Sequence, residues 1–346
     1  MKIGLLTGGG DCPGLNAVIR AVVRKSDAFS SRVVGLRNGW KGLVDPSPMD
    51  LDSRMVSGIL HIGGTIIGTS RTNPFKDPAG PERVAKHFKL LGLDALIAIG
   101  GEDTLGVAAK MHERGLPVVG VPKTIDNDLY GTDFTFGFDT AVTIATDAID
   151  RIHTTAESHN RVMVVEVMGR HAGWIATFAG IAGGADVILI PEIPIDLDEV
   201  CDLILRRHSR GKLFSIVVVA EGAQFAEKAG ANGELVVQET QKDEFGHVRL
   251  GGISQVLSKA IEKRTRFETR YVVLGHIQRG GSPTAHDRVL ATRFGICATE
   301  MAHRGEFGKM AALQGNRIVA VPLSEATSRL KTVDMDIYGI AKEFFG

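Results

Sequence analysis

Short apolar runs alternate along this chain with segments whose apolar residues recur at helical spacing. Runs at 3–7, 33–36, 95–99, 118–121, 162–167, 187–190, 216–220, 271–274 and 318–321 predict strands. Between the first two, Leu15, Val18, Ile19, Val22 and Val23 fall on one face of a helix. Similar periodicity near 83–91, 104–114, 138–157, 172–182, 197–209, 252–264 and 285–303 predicts further helices. Strand–helix alternation requires crossover connections and therefore a mainly parallel sheet. Nine strands in 346 residues suggest two such sheets, so the expected fold class is α/β with two doubly wound lobes. The stretch at 223–252 breaks the pattern, being polar and glycine-rich, and is expected to form an exposed hairpin or loop insertion.

Charge and cysteine content narrow the functions open to it. Forty basic and forty acidic side chains give zero formal net charge. Bulk attraction to nucleic acid or to an anionic membrane is not expected from that balance, although a local basic pocket is compatible with it. Aromatic residues make up only 6% and are scattered, which argues against a stacking platform for single strands. Cys12, Cys201 and Cys297 are widely spaced and form no C-x-x-C pair, so neither a disulfide frame nor a zinc site is expected. No apolar run reaches the roughly 18 residues of a membrane span, and the first strand enters a turn too early to be a signal-peptide core. The expected location is the cytoplasm.

The chemistry is concentrated where strands end. Lys123-Thr124-Ile125-Asp126-Asn127-Asp128 follows the apolar run at 118–121. In open α/β sheets ligands bind outside the carboxyl ends of strands. Two carboxylates there can supply a base and help to hold a metal. Taken alone, the segment reads equally well as a polar turn opening a helix, because Asp and Asn are ordinary turn formers. Two glycine-rich strand ends shift the balance. Gly8-Gly9-Gly10-Asp11-Cys12-Pro13-Gly14 joins the first strand to the first helix, where backbone N–H groups can approach phosphate oxygens. It lacks the Gly-Lys-Ser/Thr of a P-loop, and Pro13 occupies the third glycine position of a dinucleotide fingerprint. Gly100-Gly101-Glu102-Asp103-Thr104 repeats the arrangement with two acids in the loop. Acids suit a helix N-terminus, but beside phosphate they call for a cation, and Mg²⁺ is expected. Arg71 after Gly68-Thr69-Ser70, Arg161, Arg170, Arg270, His276 and Arg279 also lie near strand ends, as does Glu221. Any one of these arginines reads as a surface ion-pair partner; several together suit an anionic sugar phosphate.

Taken together these segments resemble the phosphofructokinase family. The matching blocks are Gly-Gly-Asp-x-Pro-Gly-Leu-Asn at 9–16, Gly-Thr-Ser-Arg at 68–71, Gly-Gly-Glu-Asp-Thr at 100–104, Thr-Ile-Asp-Asn-Asp at 124–128, Val-Glu-Val-Met-Gly-Arg at 165–170 and Gly-His-Ile-Gln-Arg-Gly-Gly at 275–281. They occur in family order over nearly the whole chain. The resemblance implies two lobes of phosphofructokinase type. Residues 1–137 with about 279–328 would bind the phosphoryl donor, and 138–278 with about 329–346 the sugar phosphate. It implies transfer of a phosphoryl group to the 1-hydroxyl of fructose 6-phosphate. Asp126 matches the family's base, Asp128 its neighbouring acid, and Lys123 and Arg170 the remaining catalytic positions. Glu102 falls where the family has a magnesium-coordinating acid. Gly9, Gly10, Arg71, Gly101, Asp103 and Thr104 match the donor loops. Thr124, Ile125, Asp126, Met168, Gly169, Arg170, Glu221, His276, Ile277, Gln278 and Arg279 match sugar-phosphate positions. Arg161 and Arg270 match arginines contributed by a neighbouring subunit, so a homodimer or homotetramer is implied.

Two positions bear on the donor. Relatives that use ATP generally have Gly where this chain has Asp103, whereas relatives that use pyrophosphate have Asp there and Lys at the position of Lys123. The physics agrees: a charged side chain at 103 fills nucleotide space and repels the α-phosphate, and Lys123 can stabilise the leaving phosphate. Pyrophosphate is the expected donor, with an ATP-dependent enzyme of the same family as the alternative. A nicotinamide dehydrogenase fits doubly wound lobes but not the failed fingerprint. A non-enzymatic sugar-binding protein fits the architecture and gives no reason for an acid pair beside a phosphate loop. One spatial expectation underlies the rest: the loops at 100–104 and 123–128 face each other.

Overall fold

The computed structural model describes residues 1–226, 237–239, 244–246 and 249–346. The chain divides into two compact units, Met1–Thr140 with Asp243–His247 and Arg279–Leu330, and Ala141–Lys242 with Val248–Gln278 and Lys331–Gly346. The first unit is built on a seven-stranded sheet. Its strands are β1 (Lys2–Thr7), β2 (Arg32–Leu36), β3 (Pro48–Leu51), β4 (Ala95–Gly100), β5 (Val118–Pro122), β12 (Lys309–Gln314) and β13 (Arg317–Pro322), in the order β13-β12-β5-β4-β1-β2-β3. The five central strands are parallel, while β3 and β13 close the two edges antiparallel. Helices α1 (Leu15–Ala28), α3 (Gly80–Leu90), α4 (Glu102–Glu113) and α9 (Ala285–Arg304), with the short α2 (Lys41–Val44) and α10 (Leu323–Ala326), complete the unit. Every residue of β4 and β5 is buried, as expected of parallel strands covered on both faces. That double burial is why these strands read as unbroken apolar runs. The expected strands at 3–7, 33–36, 95–99, 118–121 and 318–321 are all present. Strands β3 and β12 were not expected, since Pro-Met-Asp-Leu and Lys-Met-Ala-Ala-Leu-Gln carry no period-two signal.

The topology of this unit selects the site. From β1 the chain steps outward to β2, then returns to place β4 on the other side of β1. The order therefore reverses between β1 and β4, and open α/β sheets bind ligands outside the carboxyl ends at such a point. The glycine-rich segments after β1 and β4 both leave the sheet there. One buried carboxylate braces the region. Asp287 in the first turn of α9 accepts hydrogen bonds from the backbone N–H of Thr140 (2.8 Å) and from its hydroxyl (2.5 Å). Thr140 in turn accepts from the N–H of Thr284, and Thr284 caps α9. Replacing Asp287 by Ala leaves the buried Thr140 donors unpaired and costs about 1–3 kcal/mol. The expected readout is an earlier urea midpoint with faster amide exchange at residues 138–142. Unchanged exchange there would remove the brace from the account.

The second unit holds a four-stranded, all-parallel sheet of β6 (Val162–Val167), β7 (Val187–Leu189), β8 (Ser215–Ala220) and β11 (Thr269–Val273), ordered β11-β6-β8-β7. The central strands β6 and β8 are wholly buried, whereas edge strand β11 is largely exposed. Helix α5 (Phe138–His159) starts in the first unit and continues into the second, which also contains α6 (Trp174–Ala182), α7 (Leu197–Ser209), α8 (Ile253–Thr265) and α11 (Met335–Lys342). Glu166 on β6 ties down the start of α8 by accepting from the N–H and hydroxyl of Ser254 at 2.9 and 2.7 Å. Much of the segment expected to form a hairpin at 223–252 lies outside the described residues. Within it, β9 (Val237–Glu239) and β10 (Arg249–Leu250) pair antiparallel. Among the described residues all three cysteines are free thiols, and no helix is long and apolar enough to cross a membrane.

Candidate active site

Three strand ends in the first unit converge on Lys123. The N–H of Lys123 donates to the carbonyl of Gly100 (2.9 Å), which sets the loop after β5 against the loop after β4. Its ammonium, 3% exposed, donates to the carbonyl of Gly10 in the turn after β1. Burial draws that ammonium below its ordinary value. The same burial pushes the nearby Cys12 thiol up to about 12, so the sulfur beside Lys123 stays neutral.

The glycine turn is shaped by close neighbours. Gly9 adopts φ +80°, a left-handed conformation that glycine reaches without strain. A Cβ on Gly10 would come within 2.8 Å of a guanidinium nitrogen of Arg279. Two of the glycine N–H groups are already used, that of Gly8 by Ile99 O and that of Gly9 by Ser70 O, each at 2.9 Å. The expectation that the glycine amides as a set cradle phosphate is therefore narrowed: at Gly8 and Gly9 they fix the turn. The Gly9–Ser70 bond, with the Thr69 hydroxyl on Gly9 O at 2.7 Å, brings the Gly68–Arg71 loop to the same place. Thr104 lies buried under Gly8 and Gly100, and its carbonyl accepts from the Trp40 indole (3.2 Å).

The acids stand around this centre. Thr124 and Asn127 shape the turn carrying Asp126 and Asp128. The Thr124 hydroxyl accepts from Asp126 N–H (3.0 Å), and Asn127, fully buried at φ +52°, accepts from Thr135 N–H (3.1 Å). Asn tolerates the left-handed region better than most residues. The sequence marks Asn127 only as an ordinary turn former, because its partner Thr135 is eight residues away. Ile125 is fully buried, so only its backbone can meet a ligand. Oδ1 of Asp126 is buried without a hydrogen-bond partner. Burial first, then the charges of Asp126 and Glu102, push the Asp128 carboxyl up to about 7. Glu102 and Asp103 open α4. Among the described residues no three His, Cys, Asp or Glu side chains converge as a ready-made metal cage. Mg²⁺ keeps several waters and binds through one or two carboxylates plus substrate phosphates. The orphaned Asp126 oxygen and the repulsion that Asp126 and Glu102 exert on Asp128 both fit such a cation. A cavity of about 370 Å³ opens beside Asp103 along α4.

In the second unit, the loops after β6 and β8 pack together. Gly222 N–H donates to Gly169 O (3.1 Å), and a Cβ on Gly222 would strike the carbonyl of Arg170. Met168, Gly169, Arg170 and Glu221 are thus neighbours at the carboxyl end of that sheet. Gln278 is fully buried. Its amide bridges Met168 N–H (3.3 Å) and Gly275 O (3.1 Å), holding the 275–278 turn to the β6 end. His276 and Ile277 on the same turn are exposed. Arg279 belongs to the first unit and donates to Asp11 O (3.4 Å) over the glycine turn. Arg161 and Arg270 converge on one carboxylate, Glu268, at 2.8 and 2.6 Å. The hydrogen bond from Arg161 holds Glu268 below the usual carboxylate range. Glu268 carries no signal of its own in the sequence; its role as a clamp required the sheet to bring 161 and 268 together.

The glycine turn, the buried Lys123 and the turn carrying Asp126 and Asp128 thus lie together at strand ends beside the reversal of strand order, where open α/β sheets bind ligands. The family model for phosphofructokinase matches residues 2–302, and the chain belongs to that family. It is 58% identical, over the full length of both chains, to a protein of Streptomyces coelicolor named pyrophosphate–fructose 6-phosphate 1-phosphotransferase. It is also 56% identical, over 96% of each chain, to a protein of the same organism named ATP-dependent 6-phosphofructokinase 3. Among solved structures, Pichia pastoris phosphofructokinase in the T-state matches with a TM-score of 0.83 and 32% identity over 99% of this chain, which spans 36% of that longer one.

Proposed function

We propose that this chain transfers a phosphoryl group from pyrophosphate to the 1-hydroxyl of fructose 6-phosphate, giving fructose 1,6-bisphosphate and phosphate, reversibly and in the cytoplasm. The observation that carries the donor assignment is the pairing of Asp103 at the start of α4 with the buried Lys123 under the glycine turn. Asp103 adds bulk and negative charge where a donor longer than two phosphates would continue. Identity alone does not decide the donor, because relatives named for pyrophosphate and for ATP match almost equally well.

In this reading Asp126 takes the proton of the 1-hydroxyl, and the resulting oxygen attacks the terminal phosphorus. The bridging P–O bond breaks, and the departing phosphate gathers negative charge that Lys123 is placed to stabilise. Such transfers need little covalent help, so positioning and charge carry most of the acceleration. Glu102 would hold Mg²⁺ with Asp126 and Asp128 nearby; the ion, when bound, neutralises charge on the donor oxygens. Arg170, with Met168, Gly169 and Glu221, serves the sugar phosphate, as do His276 and Arg279. Arg161 and Arg270, held together by Glu268, serve it from a neighbouring subunit of a homodimer or homotetramer. The deciding experiment compares initial rates with pyrophosphate and with ATP at saturating fructose 6-phosphate and Mg²⁺. Fast turnover with ATP and slow turnover with pyrophosphate overturns the donor assignment.

The elevated Asp128 carboxyl has a consequence for pH. As pH falls through about 7 the acid pair takes up a proton, and a base sharing its site with a proton accepts another less readily. The expected kcat/KM for fructose 6-phosphate is therefore full above that value and falls below it. Asp128→Asn removes both the proton and the repulsion, and it moves this acid limb downward. A limb that stays in place in the variant assigns it to another group.

A further inference from the structure

The cavity beside Asp103 has a wall that comes from far away in the chain. Glu102, Asp103, Gly106, Val107 and Lys110 of α4 line it on one side. Phe245, from the polar excursion to which the sequence assigned no chemistry, lines it as well. Phe245 is half-buried and packs against the apolar cluster of the first unit, alongside Phe75 and Ala109. Its neighbour Glu244 holds the placement, the carboxylate accepting from Asn73 N–H at 2.7 Å. Asn73 follows two residues after Arg71 and itself caps the turn at Pro74–Lys76. The 244–246 segment is thus fastened to the donor loops at one point and to α4's apolar surroundings at another.

We infer that this segment is a second determinant of donor size, acting by space where Asp103 acts by charge. The inference rests on the donor-site reading given above. In that reading a two-phosphate donor ends at Asp103, and the cavity adjoining Asp103 along α4, which Phe245 also lines, is the space a longer donor would enter. About 370 Å³ lies near the lower end of the volumes that hold small organic ligands. Removing the ring enlarges this space, and loosening Glu244 frees the wall to move. Gly106 helps to define the shape, because a Cβ built on it meets no other atom within 4 Å and the floor stays flat. Among these lining residues Glu102, Asp103 and Glu113 outnumber Lys110, so space alone does not admit a polyphosphate nucleotide. The two barriers therefore act in series, and opening one exposes the other.

The test is a double-mutant cycle of Asp103→Gly and Phe245→Ala, read as the ratio of kcat/KM for ATP to that for pyrophosphate. The double variant is expected to raise this ratio about 10-fold or more above Asp103→Gly alone, the scale on which pocket-shape changes act. Phe245→Leu keeps apolar contact without the ring and should fall between them; it also serves if the alanine variant does not fold. Calorimetric binding of AMP to the same proteins supplies a readout independent of turnover, with tighter binding expected when both barriers are removed. Glu244→Gln in the Asp103→Gly background should move both readouts in the same direction, less far. A double variant indistinguishable from Asp103→Gly in ratio and in AMP binding overturns the inference. An unmodified enzyme that prefers ATP instead overturns the donor reading beneath it, so the two failures are separable.

Discussion

Asp126→Ser is expected to lower kcat by about 10²–10⁴-fold, the range over which a positioned general base contributes. The dissociation constant for fructose 6-phosphate should change little. The asymmetry follows from the local structure. The Asp126 backbone is held by the Thr124 hydroxyl, and its Oδ1 is buried without a hydrogen-bond partner, so removing the carboxylate breaks no hydrogen bond at that atom. The turn itself is fixed by Asn127 and Thr135 and survives the substitution. What disappears is the proton acceptor. Single-turnover rates alongside equilibrium binding of the sugar phosphate separate the two effects. Wild-type turnover in the variant would take Asp126 out of the mechanism.

Lys123→Gly is expected to reduce kcat with pyrophosphate by about 10²–10³-fold, the usual effect of deleting one preorganised charge partner of a transition state. Asp103→Gly should weaken pyrophosphate use more modestly and relieve the repulsion that a nucleotide meets. With both replaced, pyrophosphate turnover should fall furthest and ATP turnover should become measurable. Lys123 carries a second duty, because its ammonium is bonded to Gly10 O under the glycine turn. Some of the loss in the glycine variant therefore reflects a looser turn. Lys123→Met, which fills the space without charge, isolates the electrostatic part. If Lys123→Met turned over pyrophosphate like the unmodified enzyme, the lysine would be structural only.

The parallel core was legible because strands buried on both faces must be apolar throughout, and β4, β5, β6 and β8 read that way. Strands β3 and β12 were not legible. β3 is a four-residue edge beginning with Pro, and its partner β2 lies twelve or more residues away. β12 looks helical residue by residue and becomes a strand because β5 and β13 offer it hydrogen bonds. The same division holds in the candidate site. Gly9, Gly10, Glu102, Asp103, Lys123, Asp126 and Asp128 could be picked out because each sits within a few residues of a strand end. Glu268 as a clamp, Gln278 as a buried bridge, Asn127 as the pin of the acid turn and Phe245 as a cavity wall could not, since each acts on a partner distant in sequence.

From its residues alone, this chain determined which strand ends gather glycines, acids and a lysine, because turn formation, strand burial and loop charge are local properties. Tertiary structure alone decided that the strand order reverses between β1 and β4, that Lys123 is buried beneath the turn of another strand, and that a distant phenylalanine borders the same helix as Asp103. The physical reason is that desolvation and close approach depend on what packs against a group, and packing partners are chosen by the whole fold.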